Sequence, residues 1–292
     1  MVIISGIKSV LQSATLNDLP SLTKRIMAKE MLIYHVLEWL YNHSQYHKLA
    51  FYGGTCARVV YDLNRLSEDI DLDNSSGVDL SNFAFDLHNH LAVGLLLPSV
   101  EIKSSEEHVD GQKKISRFII KLPILQQLGI SNNPNDKLHI KIDVSQYQQL
   151  SSTIMTPVVK NGYSILITHW DESNLMAGKI LACLNRSFKK GKSNIQYKGR
   201  DYYDLLWYMQ QGVQPNKAKV IQESSYSNMQ TVWQELRQRV GLIKPADITQ
   251  DLENLFMEPQ YAKLWSGQFH DLFERYLPHY YGVAALFKKP AS

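Results

Sequence analysis

Glu68 to Asp73 reads EDIDLD, a strict alternation with a period of two. That period fits a half-buried strand and no helix. Ile70 and Leu72 point to one face, and Asp69, Asp71 and Asp73 to the other. A second run, KLHIKIDVSQ at 137–146, alternates in the same way. It sets Ile140, Ile142 and Val144 against His139, Lys141 and Asp143. A chain with two such runs must build a sheet with one apolar face and one charged face.

Helical spacing surrounds these strands. Residues 22–43 place Ile26, Ile33, Leu37 and Leu40 near one stripe. Residues 48–53 read as a short strand running into Gly53-Gly54-Thr55, and 56–64 as a helix. Residues 81–97 can form another helix. Residues 98–104 and 114–122 are strand candidates around the polar turn Asp110-Gly111. Strand signals fade after about residue 170. Residues 173–188 carry Met176, Ile180, Leu184 and Phe188 at intervals of four, and helices follow at 201–211, 231–240 and 264–276. The expected division is an α/β part over 1–165 and a mainly helical part over 166–292.

Composition narrows the function. Among 292 residues the net charge is +3 and the pI about 8.6. This excludes a strongly basic nucleic-acid coat but leaves room for a local basic patch. Cys56 and Cys183 are the only cysteines, and no CxxC or Cys/His cluster suggests zinc. A reducing compartment and no structural metal are expected. The N-terminus lacks a basic region and a small-residue cleavage site. No stretch approaches the roughly 20 apolar residues of a membrane helix, and the mean hydropathy is -0.26. A soluble, cytoplasmic protein with no membrane partner is expected.

Asp69 and Asp71 lie on one strand face, roughly 7 Å apart at the α-carbons. Asp143, from a neighbouring strand, could converge there as a third hard oxygen ligand. Such a set suits Mg2+, which keeps waters and accepts substrate phosphates. Glycine amides at Gly53 and Gly54 can cradle a triphosphate. Together these point to phosphoryl or nucleotidyl transfer. The plainer alternatives are a solvated strand face for the acids and a tight strand-to-helix turn for the glycines.

GGTCARVVYDLNRLSEDIDLD resembles the first motif of the AbiEii/AbiGii-type toxin family of nucleotidyltransferase-like proteins. Gly53, Gly54, Thr55, Arg58, Ser67, Glu68, Asp69 and Asp71 carry that match. LHIKIDVS resembles the second motif, with Lys141 and Asp143. NLMAGKILACL resembles the third, with Lys179. YKGRDYYDLLWY resembles the fourth, with Arg200, Asp201 and Asp204. Cys56 stands where family members often have a small or apolar residue. The resemblance covers roughly residues 25–210.

The resemblance implies an α+β fold: the minimal nucleotidyltransferase (DNA polymerase β type) mixed sheet with helices, then a helical C-terminal domain. It implies that Asp69, Asp71 and Asp143 hold Mg2+ or Mn2+. Asp143 could also help activate an acceptor hydroxyl. Gly53, Gly54, Thr55, Arg58 and Lys179 would bind the nucleoside triphosphate. Asp201, and less directly Asp204, would orient Lys179 or touch the nucleotide. Helix capping is the alternative for Asp201, a snorkelling lysine for Lys179 and an ion pair with Glu68 or another acid for Arg58. Asp73 reads as a surface acid. The basic segment Arg186–Arg200, with Lys189, Lys190, Lys192 and Lys198, is a solvated loop or a holder of RNA phosphates.

The favoured function is a toxin nucleotidyltransferase moving a nucleoside monophosphate from an NTP to a tRNA 3′ end, with a cognate antitoxin as partner. A protein hydroxyl is the second acceptor. The rivals are a nucleotide-binding, antitoxin-regulated protein without turnover and a kinase-like transfer of the terminal phosphate. The expected active site lies where the helical part supplies Lys179 and Asp201.

Overall fold

Alternation and helical spacing resolve into a seven-stranded sheet followed by a helical array. The computed structural model describes residues 2–13, 15–97, 99–109, 112–146, 150–185 and 197–281. Two compact units divide between Trp170 and Asp171.

The first unit begins with α1 (Val2–Leu11) and the long α2 (Ser21–Asn42), whose Ile26, Ile33, Leu37 and Leu40 are all buried. β1 (Ala50–Tyr52) runs straight into α3 (Gly53–Tyr61), and β2 (Asp69–Asp73) follows. α4 (Phe83–Asn89) ends in a π turn over His90–Gly94. Then come β3 (Glu101–Val109), β4 (Gln112–Leu122), β5 (Leu138–Ser145), β6 (Thr153–Lys160) and β7 (Tyr163–Trp170). The expected turn at Asp110-Gly111 lies outside the described residues.

The strand order is β3-β4-β5-β2-β1-β7-β6. β2 runs parallel to β5, and β1 parallel to β7; the remaining pairs are antiparallel. The two alternating runs are therefore neighbours. Their apolar residues Ile70, Leu72, Ile140, Ile142 and Val144 are fully or almost fully buried, together with Phe118 and Ile120 of β4. Phe83 of α4 meets Phe118 there at a ring-centroid distance of 4.6 Å. The charged face stays half-buried or exposed from Glu101 on β3 across to Asp71 on β2. One face is the core and the other is available for chemistry.

The β6–β7 hairpin turns at Asn161-Gly162, both with positive φ (53° and 83°). Two positive-φ residues match the mirror-image turn that fits strand twist.

The second unit holds α5 (Glu172–Asn185), α6 (Gly199–Gln210), α7 (Lys217–Gln222), α8 (Met229–Leu242), α9 (Pro245–Leu252) and α10 (Pro259–Tyr276). α5 and α6 pack together, and their Met176, Ile180, Leu184, Tyr202, Leu205 and Tyr208 are all buried. Asn216 and Asn228 cap α7 and α8 by accepting from Lys219 N and Thr231 N. No described helix is long and apolar enough to cross a membrane.

Candidate active site

Register brings the carboxylates together. In the parallel pair of β2 and β5, Asp71 stands beside Asp143, and Asp69 beside Lys141. Next to β5, Arg117 of β4 stands opposite Asp143. The face therefore gathers three acids and two bases across three strands.

Asp143 is clamped from both sides. Arg117 donates from Nε to Oδ1 at 2.8 Å and from an Nη to Oδ2 at 3.1 Å. Lys141 Nζ donates to Oδ2 at 3.1 Å and lies 3.5 Å from Asp69 Oδ2. Burial pushes the Asp143 carboxyl up, but the Arg117 hydrogen bonds and the Lys141 charge outweigh it and hold the group below the usual carboxylate range. Burial also acts against the Lys141 ammonium. The Asp69 and Asp143 charges overcome that and raise it.

These contacts decide which residues suit a cation. Asp69 and Asp71 are half-buried on the open face. Two carboxylates plus substrate phosphates and water are the usual protein share of a Mg2+ site, so this pair fits a divalent ion. Asp143, expected above as a third ligand, has both oxygens engaged by Arg117 and Lys141, so on this face it anchors two cations beside the Asp69–Asp71 pair. Among the described residues no three acidic, histidine or cysteine groups converge closely enough to hold an ion by themselves.

Gly53 explains why the motif starts with glycine. Its φ is +82°, and a Cβ built there would collide with the Asp71 carboxylate. The backbone at the start of α3 thus rests directly against the acid. Gly54 follows in the first turn of that helix, where backbone N–H groups have no helical partner. Gly53→Ala should cost about 1–3 kcal/mol for the left-handed backbone and displace Asp71. The check is a thermal melt beside a transfer assay: a several-degree fall in Tm with most activity lost is expected.

Two expected nucleotide contacts have other work. Thr55 is buried; its hydroxyl donates to the Asp69 carbonyl and hydrogen-bonds the Ser67 hydroxyl at 2.7 Å. It fixes the start of β2 and offers no hydroxyl to a phosphate. Arg58 donates to both oxygens of Glu30 on α2, with contacts of 3.1–3.3 Å, and to the Leu63 carbonyl. It is the structural ion pair, though not with Glu68, which pairs with Lys29 at 2.7 Å. Asp73 is no surface acid either. It is buried and accepts from Ser75, Ser145, Ser151 and the Trp170 indole. Cys56 is buried, and burial first, then Asp71, pushes its thiol well up, so it is a core residue rather than a nucleophile.

In the second unit Lys179 Nζ lies 3.2 Å from Asp201 Oδ1 and 2.7 Å from Asp204 Oδ2. Both acids are almost wholly buried. The third and fourth motifs thus converge on one lysine held by two carboxylates one helical turn apart. Asp204 makes the shorter contact. Of the basic segment, Lys198 and Arg200 are described, whereas Lys189, Lys190 and Lys192 lie outside the described residues.

Arg117 was missed by sequence reading, because it belongs to no motif and its pairing depends on the β4–β5 register. The signal was present in KISRFIIKL, where alternation sets Arg117 opposite the apolar Phe118 and Ile120.

A crystal structure of JHP933 from Helicobacter pylori is 16% identical with a TM-score of 0.47, covering 90% of this chain and 97% of that one. A second, described as a candidate nucleotidyltransferase from H. pylori, is 16% identical with a TM-score of 0.45, covering 87% and 96%. No curated protein matches the chain. The model of the AbiEii family, described as the nucleotidyl transferase AbiEii toxin of a type IV toxin–antitoxin system, matches residues 36–281. Matched over most of its length, the chain belongs to the AbiEii family of nucleotidyltransferase toxins.

Proposed function

We propose that this toxin transfers a nucleoside monophosphate from an NTP to the 3′ end of a tRNA, with a divalent ion and release of pyrophosphate. The observation that carries the reading is the Asp69-x-Asp71 face of β2, packed against the Gly53 backbone and flanked by Lys141 and Arg117. The mixed sheet, with carboxylates on its open face, supports a core of the DNA polymerase β type.

Asp69 and Asp71 would hold Mg2+ or Mn2+, which would supply charge neutralisation at the triphosphate. Gly53 and Gly54 would present backbone N–H groups to the phosphates. Lys141 and Arg117, oriented by Asp143, would place positive charge where negative charge develops at the α-phosphate. Lys179, held by Asp201 and Asp204, is the proposed lysine of the triphosphate.

The acceptor hydroxyl oxygen forms a bond to the α-phosphorus, and the bond from that phosphorus to the β-bridging oxygen breaks. Pyrophosphate carries away the electron pair. The hydroxyl proton passes to solvent, since both oxygens of Asp143 already accept from Arg117 and Lys141. An antitoxin is the partner that a toxin of this family implies.

Incubation with α-labelled NTPs, total RNA and Mg2+ or Mn2+ tests this reading. Label should enter tRNA-sized RNA and vanish with EDTA. Label appearing only in protein would overturn the tRNA acceptor, and label in neither would overturn the transfer.

A further inference from the structure

The face that carries Asp69 and Asp71 continues across β5, β4 and β3. One register row runs Asp69, Lys141, Ile119, Lys103. The next runs His139, Lys121, Glu101. Lys103 and Lys121 are therefore diagonal neighbours on adjacent strands, within reach of each other's side chains. Burial first, and then the Lys103 charge beside it, lowers the Lys121 ammonium; Glu101 opposes this and Lys137 adds to it.

His139 records the same field. Burial lowers it first, followed by the charges of Lys121, Lys29, Lys137 and Arg25. Several of these cations have acids of their own. Arg25 pairs with Asp136, Lys29 with Glu68, and Lys137 with Glu101. Glu107 lies 3.6 Å from Arg117. Among the described residues, neither Lys103 nor Lys121 forms an ion pair with an acid. Like charges side by side on a sheet cost stability, and a polyanion laid over them would remove that cost.

We propose that Lys103 and Lys121 form the landing surface for the phosphate backbone of the RNA acceptor, leading its end past Lys141 to Asp69 and Asp71. Three strand spacings separate the row's ends, about 14 Å, a span that a few backbone phosphates cover. The surface is a ridge on the sheet itself. It holds phosphates and reads no bases, so binding should be salt-dependent and tolerant of sequence. The proposal rests on the transferase reading with an RNA acceptor.

The test measures binding of a fluorescein-labelled single-stranded RNA oligonucleotide to the full chain, without NTP, over a salt series. Lys103→Glu/Lys121→Glu should weaken binding by about tenfold or more, and flatten the log–log salt slope by roughly 1.4, at about 0.7 per phosphate contact. Lys103→Arg/Lys121→Arg should bind as the parent does. Affinity for NTP with Mg2+ should be unchanged in both. If the reversed variant does not fold, Lys103→Gln/Lys121→Gln removes the two charges and should give the same flattening. Unchanged affinity and slope would overturn the ridge, while α-label transfer to RNA would leave the proposed function standing. A parent chain that binds no RNA yet labels protein would overturn the ridge and the RNA acceptor together, leaving nucleotidyl transfer intact.

Discussion

Asp71→Asn is expected to cut nucleotide transfer by at least about 10³-fold, on the order of 4 kcal/mol of transition-state stabilisation. The substitution keeps the size of the side chain beside Gly53 and removes the anionic oxygen that a divalent ion needs. It also removes a charge that helps hold the Lys141 ammonium. The loss should fall mainly on kcat, because the metal-held charge matters most at the transition state. Thermal unfolding should stay close to that of the parent, since Asp71 is half-buried on the open face. A variant that retains transfer within tenfold would contradict the role given to the Asp69–Asp71 face.

Lys179→Met should act first on stability. The substitution leaves Asp201 and Asp204, with side chains 3% and 0% exposed, without the ammonium between them. Removing one partner of a buried ion pair costs about 3–5 kcal/mol, because the remaining charge stays desolvated. The double variant Lys179→Met/Asp204→Asn removes a charge of each sign and should recover part of that loss. If Lys179 also serves the triphosphate, transfer should remain low in the double variant although its melting temperature rises. Recovery of both together would make the lysine purely structural. Urea unfolding followed by transfer assays on the refolded proteins separates the two outcomes.

Much of the first unit was legible in the sequence. EDIDLD and LHIKIDVS announce strands because a period of two has no other regular explanation, and their apolar residues are indeed in the core. Gly53-Gly54 at a strand end suggested a phosphate cradle, while the contact of Gly53 with Asp71 could be seen only in the fold. The β6–β7 hairpin escaped, although TIMTPVVKNGYSILITHW carries Asn-Gly between two β-rich runs.

Partners are harder to read than periods. Alternation places Asp143 on the charged face, but only the β4–β5 register reveals that Arg117 occupies it. Likewise the motif position of Thr55 and Arg58 suggested phosphate contacts. Burial and the nearness of Ser67 and Glu30 depend on how α2 and α3 pack, which is a long-range property. The net charge of +3 hides the ridge at Lys103 and Lys121, because acids elsewhere on the chain balance it.

The most direct test of the central claim is which phosphorus moves. Purified toxin, total RNA and Mg2+ should be incubated in parallel with α-labelled and γ-labelled NTP. Nucleotidyl transfer requires the α-label to enter the acceptor and the γ-label to leave in pyrophosphate. Incorporation of the γ-label with no α-label would mean a kinase-like transfer and would contradict the proposed chemistry at Asp69 and Asp71.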